Sequence, residues 1–281
     1  MTALSVGSDA HKARFCRVFI DTFHPYEIRD IRWPELEPAD LERLRALPFW
    51  GEAVASERTA GARVHAMADA EPDPILREAI AMQGYEESRH AALLESMLAH
   101  YGIPIPDTPP ERPRDAEWGF LRMGYGECFD SFFAFGLFRL SADSGLFPRP
   151  LVDRFDGVMQ EEARHILFFT NWIAYRRIQL PFHRKARFLA RRGLGLAVQA
   201  VGRVRTALQL RGAEAGDDFT MQVPDSIAEV TMRTLAETCL RENARRLAPY
   251  DAELLRPTFV PRLVRQVLRL APKGDAGAPA A

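Results

Sequence analysis

The pentapeptide Glu86-Glu87-Ser88-Arg89-His90 has a near copy later in the chain, Glu161-Glu162-Ala163-Arg164-His165. Both contain the spacing Glu-x-x-His, which occurs nowhere else in the sequence. Residues three apart lie on the same face of an α-helix, so each copy would present one carboxylate and one imidazole to the same side. A single pair of this kind is common on a solvated helix surface, but two near-identical copies on separate helices indicate a shared site.

The rest of the sequence divides into helices around these two copies. Apolar residues recur with a helical period, and the alternation typical of strands is scarce. Pro48 and Pro74 are placed to open helices, with Asp73 as the N-cap of the second, because proline is tolerated in a first helical turn. The predicted long helices cover residues 48–70, 74–101, 115–142 and 151–179, and a short helix covers residues 39–46.

The connections between the long helices predict how they pack. Short turns join the first helix to the second and the third to the fourth, which makes two antiparallel hairpins. Between the hairpins, Ile103 to Arg114 contains five prolines and is predicted to be an extended connector. A dozen extended residues reach about 40 Å, the length of a helix of about 27 residues. The predicted fold class is all-α: an up-down-down-up four-helix bundle with one long crossover and additional N- and C-terminal helices.

The hairpins also predict which acids lie level with the two copies. The first copy lies about 16 residues beyond its turn, and the same distance back along the preceding helix reaches Glu57. The second copy, mirrored across its own turn, falls within one helical turn of Glu127 and on Asp130. Each hairpin therefore supplies an acid at the height of its Glu-x-x-His pair. The predicted metal ligands are Glu57, Glu87, His90, Glu127, Glu162 and His165.

The charge of this set explains why it would bind metal. Four glutamates inside a bundle repel one another and lose hydration, at a cost of several kcal/mol each. Two divalent cations would neutralise them, and carboxylate and imidazole ligands suit iron or manganese. We expect the metal-free protein to be less stable, or to hold some of these acids protonated.

Other acids near these positions have alternative roles. Glu86 and Glu161 lie four residues before the histidines and could reach the same face, but we expect them to flank the site and pair with an arginine of their own helix. Glu52 is a weaker candidate than Glu57 for the ligand of their helix, because it lies more than one turn away from the level of the metal site. Asp130 is either a ligand or, as we favour, the acceptor for a proton on a ligand histidine's outer ring nitrogen.

This order of ligands, Glu, Glu-x-x-His, Glu, Glu-x-x-His over four helices, resembles that of the ferritin-like di-iron carboxylate superfamily. The six residues match the pattern position by position, over about residues 48–175. The resemblance implies a ferritin-like bundle with two Fe ions, or a Mn/Fe pair, in which the glutamates act through the metals. Members include ferroxidases, hydroxylases, N-oxygenases, aldehyde-deformylating enzymes and reductase subunits. The N-oxygenase branch has a further histidine where this chain has Val158, which weighs against that branch.

Small residues near Glu127 bear on whether the centre would act on a substrate. Gly124, Ser131 and Ala134 share its helix face. They either leave room for dioxygen and a substrate or allow close packing of helices, and the sequence does not separate these alternatives.

The predicted function is a dimetal, di-iron oxidase or oxygenase that activates dioxygen to oxidise a small organic substrate, with an electron donor the sequence does not identify. Its catalytic residues are the four glutamates of the metal set. The alternative is a non-catalytic iron-binding or ferroxidase-type ferritin-like protein. A third hypothesis, a helical adaptor with a vestigial site, is disfavoured because all six ligands are present.

The remaining regions are predicted more coarsely. The sequence divides into an N-terminal extension (1–47), the bundle (48–181), a C-terminal helical extension packed on the bundle (182–270) and a disordered tail (271–281). Ser226 to Glu229 form a capping box that opens a helix running to about Leu247.

Charge and cysteine content limit the partners and the compartment. Residues 184–211 carry eight Lys or Arg and no acid, which fits a helix packed on the bundle with a solvated basic face. Peripheral membrane contact through this segment is the less favoured alternative. A net charge of -1 gives no reason to expect nucleic acid, and a homodimer is a further alternative. Three separated cysteines and the lack of a signal core predict a cytoplasmic protein.

Overall fold

The computed structural model describes residues 4–47, 49–110, 112–145, 147–212 and 231–270, with the backbone alone for 203–212. The described residues form α-helices and one 3-10 turn, and they contain no β-strand. The all-α prediction is confirmed. The helices are α1 (Asp9–Asp21), α2 (Pro38–Ala46), α3 (Trp50–Ala70), α4 (Pro74–His100), α5 (Ala116–Ser144), α6 (Arg149–Gln179), α7 (Phe182–Gly212), α8 (Met232–Leu247) and α9 (Phe259–Leu270).

Local capping explains where the central helices begin. Asp73 caps α4, and its carboxylate accepts hydrogen bonds from the backbone amides of Ile75 and Leu76. Asp115 caps α5 in the same way and accepts from the amide of Trp118. The predicted boundaries agree with the observed ones to within about two residues. Pro48, predicted to open α3, lies outside the described residues.

Four long helices, α3 to α6, surround the site. Helix α3 packs along α4 and α5, and α6 packs along α5 and touches α4. Helix α1 lies against α4 and α6, while α7, α8 and α9 cover the outer side of α5. The two Glu-x-x-His copies therefore lie on neighbouring helices, α4 and α6.

Two separate hydrophobic cores fill this bundle, one on each side of the polar residues. The larger core joins α1 to the bundle and includes Phe19, Ile80, Phe120 and Trp172. The other core packs Trp50, Leu93, Met97, Leu151 and Phe155 around residues from α2 and α3. The acids and histidines predicted to bind metal lie between the two cores, so apolar side chains surround them above and below.

The described residues of the connector between α4 and α5 contact α3 near its start, in its middle and near its end. Pro106 approaches Gly51 near the start of α3. The guanidinium of Arg58 hydrogen-bonds to Asp107 and to the carbonyl of Thr108. Near the end of α3, Asp69 forms an ion pair with Arg112. Residues 106–108 and Arg112 therefore contact α3 at points from its first turn to its last.

Helix α1 was missed in the sequence, where residues 1–47 were predicted to contain only the short helix at 39–46. Only a narrow side of the helix is buried, and it carries Phe15, Cys16 and Phe19 together with His11. Ser8 caps it by accepting a hydrogen bond from the amide of His11. An N-cap serine followed by an i, i+4 aromatic pair was the signal that could have found it.

The C-terminal predictions are only partly covered. Residues 184–211 lie in α7, which packs on α5 and α6, with Phe188 buried. The capping box at 226–229 and the tail at 271–281 lie outside the described residues; the described helix starts at Met232, with Thr231 as N-cap, and ends at Leu247. None of the described helices has the length and apolar character needed to cross a membrane.

Close packing of α5 on α6 yields a test of this arrangement. A Cβ at Gly124 would lie 2.3 Å from the ring of Phe169, whereas a Cβ at Gly157 would meet nothing within 4 Å. Gly124→Ala should lower the free energy of unfolding by at least about 1 kcal/mol, because overpacking outweighs the gain in helix propensity. Gly157→Ala, the control, should leave it unchanged or raise it by up to about 1 kcal/mol. Equal stability of the two variants in denaturant titrations would contradict this packing.

Candidate metal centre

The structure brings all six predicted ligands together from four helices. Their ligand atoms form two groups, and within each group all atoms lie within 4.8 Å of one another. Glu87 belongs to both groups. The first group is Glu57, Glu87, His90 and Glu162, and the second is Glu87, Glu127 and His165. Either group could hold a metal ion, because each combines carboxylate oxygens with one imidazole nitrogen.

Both histidines present the Nδ1 atom to the carboxylates. Nδ1 of His165 lies 3.0 Å from a Glu87 oxygen, and Nδ1 of His90 lies 3.2 Å from a Glu162 oxygen. Both nitrogens are buried and have no hydrogen-bond partner of acceptable geometry. The two imidazoles stack at 5.7 Å between ring centroids. Two unsatisfied ring nitrogens therefore face a region rich in carboxylate oxygens.

The Nε2 atoms of the same rings are held by two outer carboxylates, and the pairing crosses between the helices. His90 on α4 donates to Glu161 on α6 at 2.7 Å, and His165 on α6 donates to Glu86 on α4 at 2.9 Å. A carboxylate can only accept here, so the proton lies on Nε2. The neutral tautomer then leaves a lone pair on Nδ1, the form a metal ligand requires.

Arginines and aromatic rings complete this outer layer. Arg89 donates to Glu161 at 2.7 Å, and Arg164 forms an ion pair with Glu86. Its guanidinium lies over the ring of Phe19, which belongs to α1. The guanidinium of Arg89 lies 3.7 Å from the ring centroid of Tyr26. The N-terminal extension thus packs over the outer layer, in which Glu86 and Glu161 are buried.

Proton affinities show how strongly these groups interact. Burial raises the pKa of both Glu57 and Glu127, and for Glu127 the charges of Glu87 and Glu162 raise the pKa further. Burial alone would lower the pKa of the two histidines, but the surrounding carboxylates outweigh it and raise both values. Burial would also raise the pKa of Glu86, but His165 and Arg164 overcome this and lower it to about 2. Glu57 and Glu127 thus bind a proton more readily than an ordinary glutamate, while Glu86 stays ionised.

Two neutral side chains support the inner carboxylates. The amide nitrogen of Gln83 lies 3.3 Å from an oxygen of Glu87 and 3.4 Å from an oxygen of Glu127. The hydroxyl of Ser131 donates to Glu162 at 3.2 Å. These contacts leave one buried oxygen of Glu127 without a partner. Sequence reasoning missed Gln83, although it lies four residues before Glu87 on the same helix face.

A cavity of about 520 Å³ opens beside the carboxylates between α3, α5 and α6. All four inner glutamates line it, and so do Ser131, Ala134 and Val158. Of the small residues near Glu127, some leave room beside the site and one allows close packing of helices, so each of the two predicted alternatives applies to part of the set. Ser131 and Ala134 leave space beside the site, while Gly124 allows the close approach of Phe169.

The structure corrects two predictions about neighbouring acids. Glu86 and Glu161 are buried, and their main arginine partners come from the opposite helix. They also occupy the histidine Nε2 atoms, so the role predicted for Asp130 falls to them. Asp130 is exposed at the cavity lining and belongs to neither ligand group. Glu52, also exposed, lines the same cavity.

No family model matches this chain, and neither a curated protein nor a solved structure shows significant similarity to it. The geometry of the buried Glu and His residues therefore carries the functional conclusion.

The crossed outer pairs predict a large loss of stability when one carboxylate is removed. In Glu86→Ala, the buried Arg164 and His165 lose their common partner, so the free energy of unfolding should fall by about 3–5 kcal/mol. The control Asp153→Ala removes an exposed pair with Arg149 and should cost less than about 1 kcal/mol.

The same pair has a pH signature with a defined sign. The pKa of Glu86 is depressed from 4.5 to about 2, so its stabilisation is complete above 4.5 and disappears as the pH falls toward 2. The stability difference between wild type and Glu86→Gln should shrink over that window. A constant difference, or a Glu86→Ala variant no less stable than Asp153→Ala, would show that the buried pair does not form.

Proposed function

We propose that the chain is a ferritin-like protein that binds two iron ions between its inner carboxylates and histidines and oxidises a small organic substrate with dioxygen. The observation that carries this proposal is the pair of buried, unpartnered Nδ1 atoms, His90 and His165, each facing carboxylates. A buried polar atom without a partner costs about 1–3 kcal/mol, and one metal ion in each ligand group would satisfy both nitrogens.

The donor set fits two ions. Glu57 and His90 belong to one group, Glu127 and His165 to the other, and Glu87 is common to both. One oxygen of Glu162 lies 3.2 Å from Nδ1 of His90 and 3.8 Å from Nδ1 of His165, between the two groups. Four carboxylates balance the charge of two divalent cations, and oxygen and imidazole donors suit iron or manganese.

The helix packing supports a ferritin-like arrangement. The connector follows α3 from Gly51 to Asp69, as a crossover along the length of a bundle would. The neighbours α3–α4, α3–α5, α5–α6 and α4–α6 correspond to four helices around one axis. The two Glu-x-x-His pairs then come from adjacent helices and each remaining helix adds one glutamate.

When bound, a pair of iron ions supplies electrons to dioxygen and thereby the oxidising power for a substrate. The protein's own residues hold that site in one geometry. Glu86 and Glu161 keep the histidine protons on Nε2, so both Nδ1 lone pairs face inward. Phe19 and Tyr26 pack on Arg164 and Arg89, the arginines that pair with these two carboxylates.

The cavity favours an organic substrate over iron handling alone. A volume of about 520 Å³ is within the range of small-molecule sites and far larger than a passage for ions requires. It reaches the inner glutamates directly and is lined on one side by Met123, Ala134, Val158 and Met159. Under the ferroxidase alternative, repeated Fe(II) additions in air would be oxidised and retained well beyond two ions per chain.

Metal stoichiometry tests the proposal. Wild-type protein loaded anaerobically with Fe(II) and desalted should hold two ions per chain by elemental analysis. His90→Ala and His165→Ala should each hold about one, because each removes the only imidazole of one group. The control is His65→Ala, an exposed histidine of α3 that contacts Ser88, and it should still hold two. Fewer than two ions in wild type, or the same loss in His65→Ala, would contradict the dinuclear site.

A further inference from the structure

One end of the cavity beside the inner glutamates is basic. Arg63 of α3 and Arg122 of α5 both line it. Within the part of the chain that the structure describes, neither guanidinium forms an ion pair, and Nε of Arg122 is buried without a hydrogen-bond partner. By contrast, Arg58, one and a half turns before Arg63, is paired with Glu95 at 2.7 Å.

Both arginines lie on the same side of the carboxylates. A Cβ at Gly119 would lie 3.6 Å from Cγ of Arg63. The start of α5 therefore lies beside the last part of α3. Arg63 is six residues beyond Glu57, and Arg122 is five residues before Glu127. Helical rise places both about 7–9 Å from the level of the glutamates.

Two like charges in one cavity need compensation. Burial, together with the charge of Arg122, lowers the pKa of Arg63. Two divalent ions would cancel the four inner glutamates, and that leaves the arginine end positive. Glu52 and Asp130 also line the cavity, but they lie beyond Glu57 and Glu127 in the opposite direction. A bound anion would offset the repulsion at the basic end.

The lining between the two levels suits an apolar spacer. Ala60 of α3 and Met123 of α5 line the cavity between the arginines and the glutamates. A gap of about 7–9 Å accommodates one aromatic ring or a short alkyl chain.

We infer that Arg63 and Arg122 bind the anionic group, a carboxylate or a phosphate monoester, of a small organic molecule whose apolar body extends toward the inner glutamates. The inference rests on the proposed function for the fate of that molecule, which would be the substrate. The binding itself rests on the cavity and the two arginines alone.

Calorimetric titration of the full-length, Mn(II)-loaded protein tests this inference. The probes are benzoate, phenyl phosphate and benzamide, the last being a neutral analogue of benzoate. One of the two anions should bind once per chain, at least about tenfold more tightly than benzamide, and the preferred anion identifies the group.

Variants separate the arginines from the metals as the binding site. Arg63→Ala and Arg122→Ala should each weaken anion binding about tenfold or more while two Mn(II) ions stay bound. Arg63→Lys should retain an intermediate affinity because it keeps the charge but loses the two-pronged contact. Arg149→Ala, an exposed arginine elsewhere on the surface, should change nothing.

Three results would overturn the inference. The first is no anion binding to wild type, and the second is that neither benzoate nor phenyl phosphate binds more tightly than benzamide. The third is anion binding unchanged in both alanine variants, which would place the anion on the metals. Failure of wild type to hold two ions would count against the proposed function instead. The same titrations on metal-free protein would then still decide whether the arginines bind an anion.

Discussion

Four carboxylates lie at one level inside a helical bundle, where they repel one another and lose hydration. The surrounding structure offsets this free-energy cost. Burial raises the pKa of Glu57 and Glu127, and for Glu127 the neighbouring carboxylate charges raise it further. Nearby protons or cations lower that cost, in addition to the hydrogen bonds from Gln83 and Ser131. The pKa values of His90 and His165 are raised, so without a cation these histidines bind a proton more readily. A proton on Nδ1 would face the same oxygens that a metal would contact and would offset part of the carboxylate charge.

The rest of the chain holds the four inner carboxylates in position. A hydrophobic core lies on each side of it, so neither end of the bundle depends on the polar residues for cohesion. Glu86 and Glu161 tie α4 to α6 through buried hydrogen bonds and fix both imidazoles. Helix α1 closes the outer side, where Phe19 lies against the ring of His165. On the remaining side the cavity gives access to the inner glutamates.

How much of this could be predicted from the sequence depends on what each pattern encodes. Helical spacing and turn position selected Glu57 and the two Glu-x-x-His pairs, because residues equidistant from a tight turn lie level in a hairpin. On the third bundle helix they pointed to Asp130 and came only within one turn of Glu127, which the structure places in a ligand group. Spacing could not separate Glu87 from Glu86 with the same certainty, since residues three and four before a histidine both lie near its face. The roles depend on how α4 and α6 are rotated toward each other, and this rotation sends Glu86 and Glu161 across to the opposite helix. The burial of α1 was also not predicted. Its buried apolar residues are Phe15, Cys16 and Phe19, and the surface on which they pack is formed by distant parts of the sequence, α4 and α6.

The most direct measurement compares the melting temperature of wild type and Glu127→Gln at pH 8, each with and without bound metal. Without metal, the variant should melt at a higher temperature, because the amide removes a buried charge repelled by Glu87 and Glu162 and can still accept the contact from Gln83. With metal, the order should reverse, because wild type gains a stabilising ligand that the variant lacks. A variant that melts lower than wild type without metal, or wild type that gains nothing from metal, would contradict the claim that these acids are held together for cations.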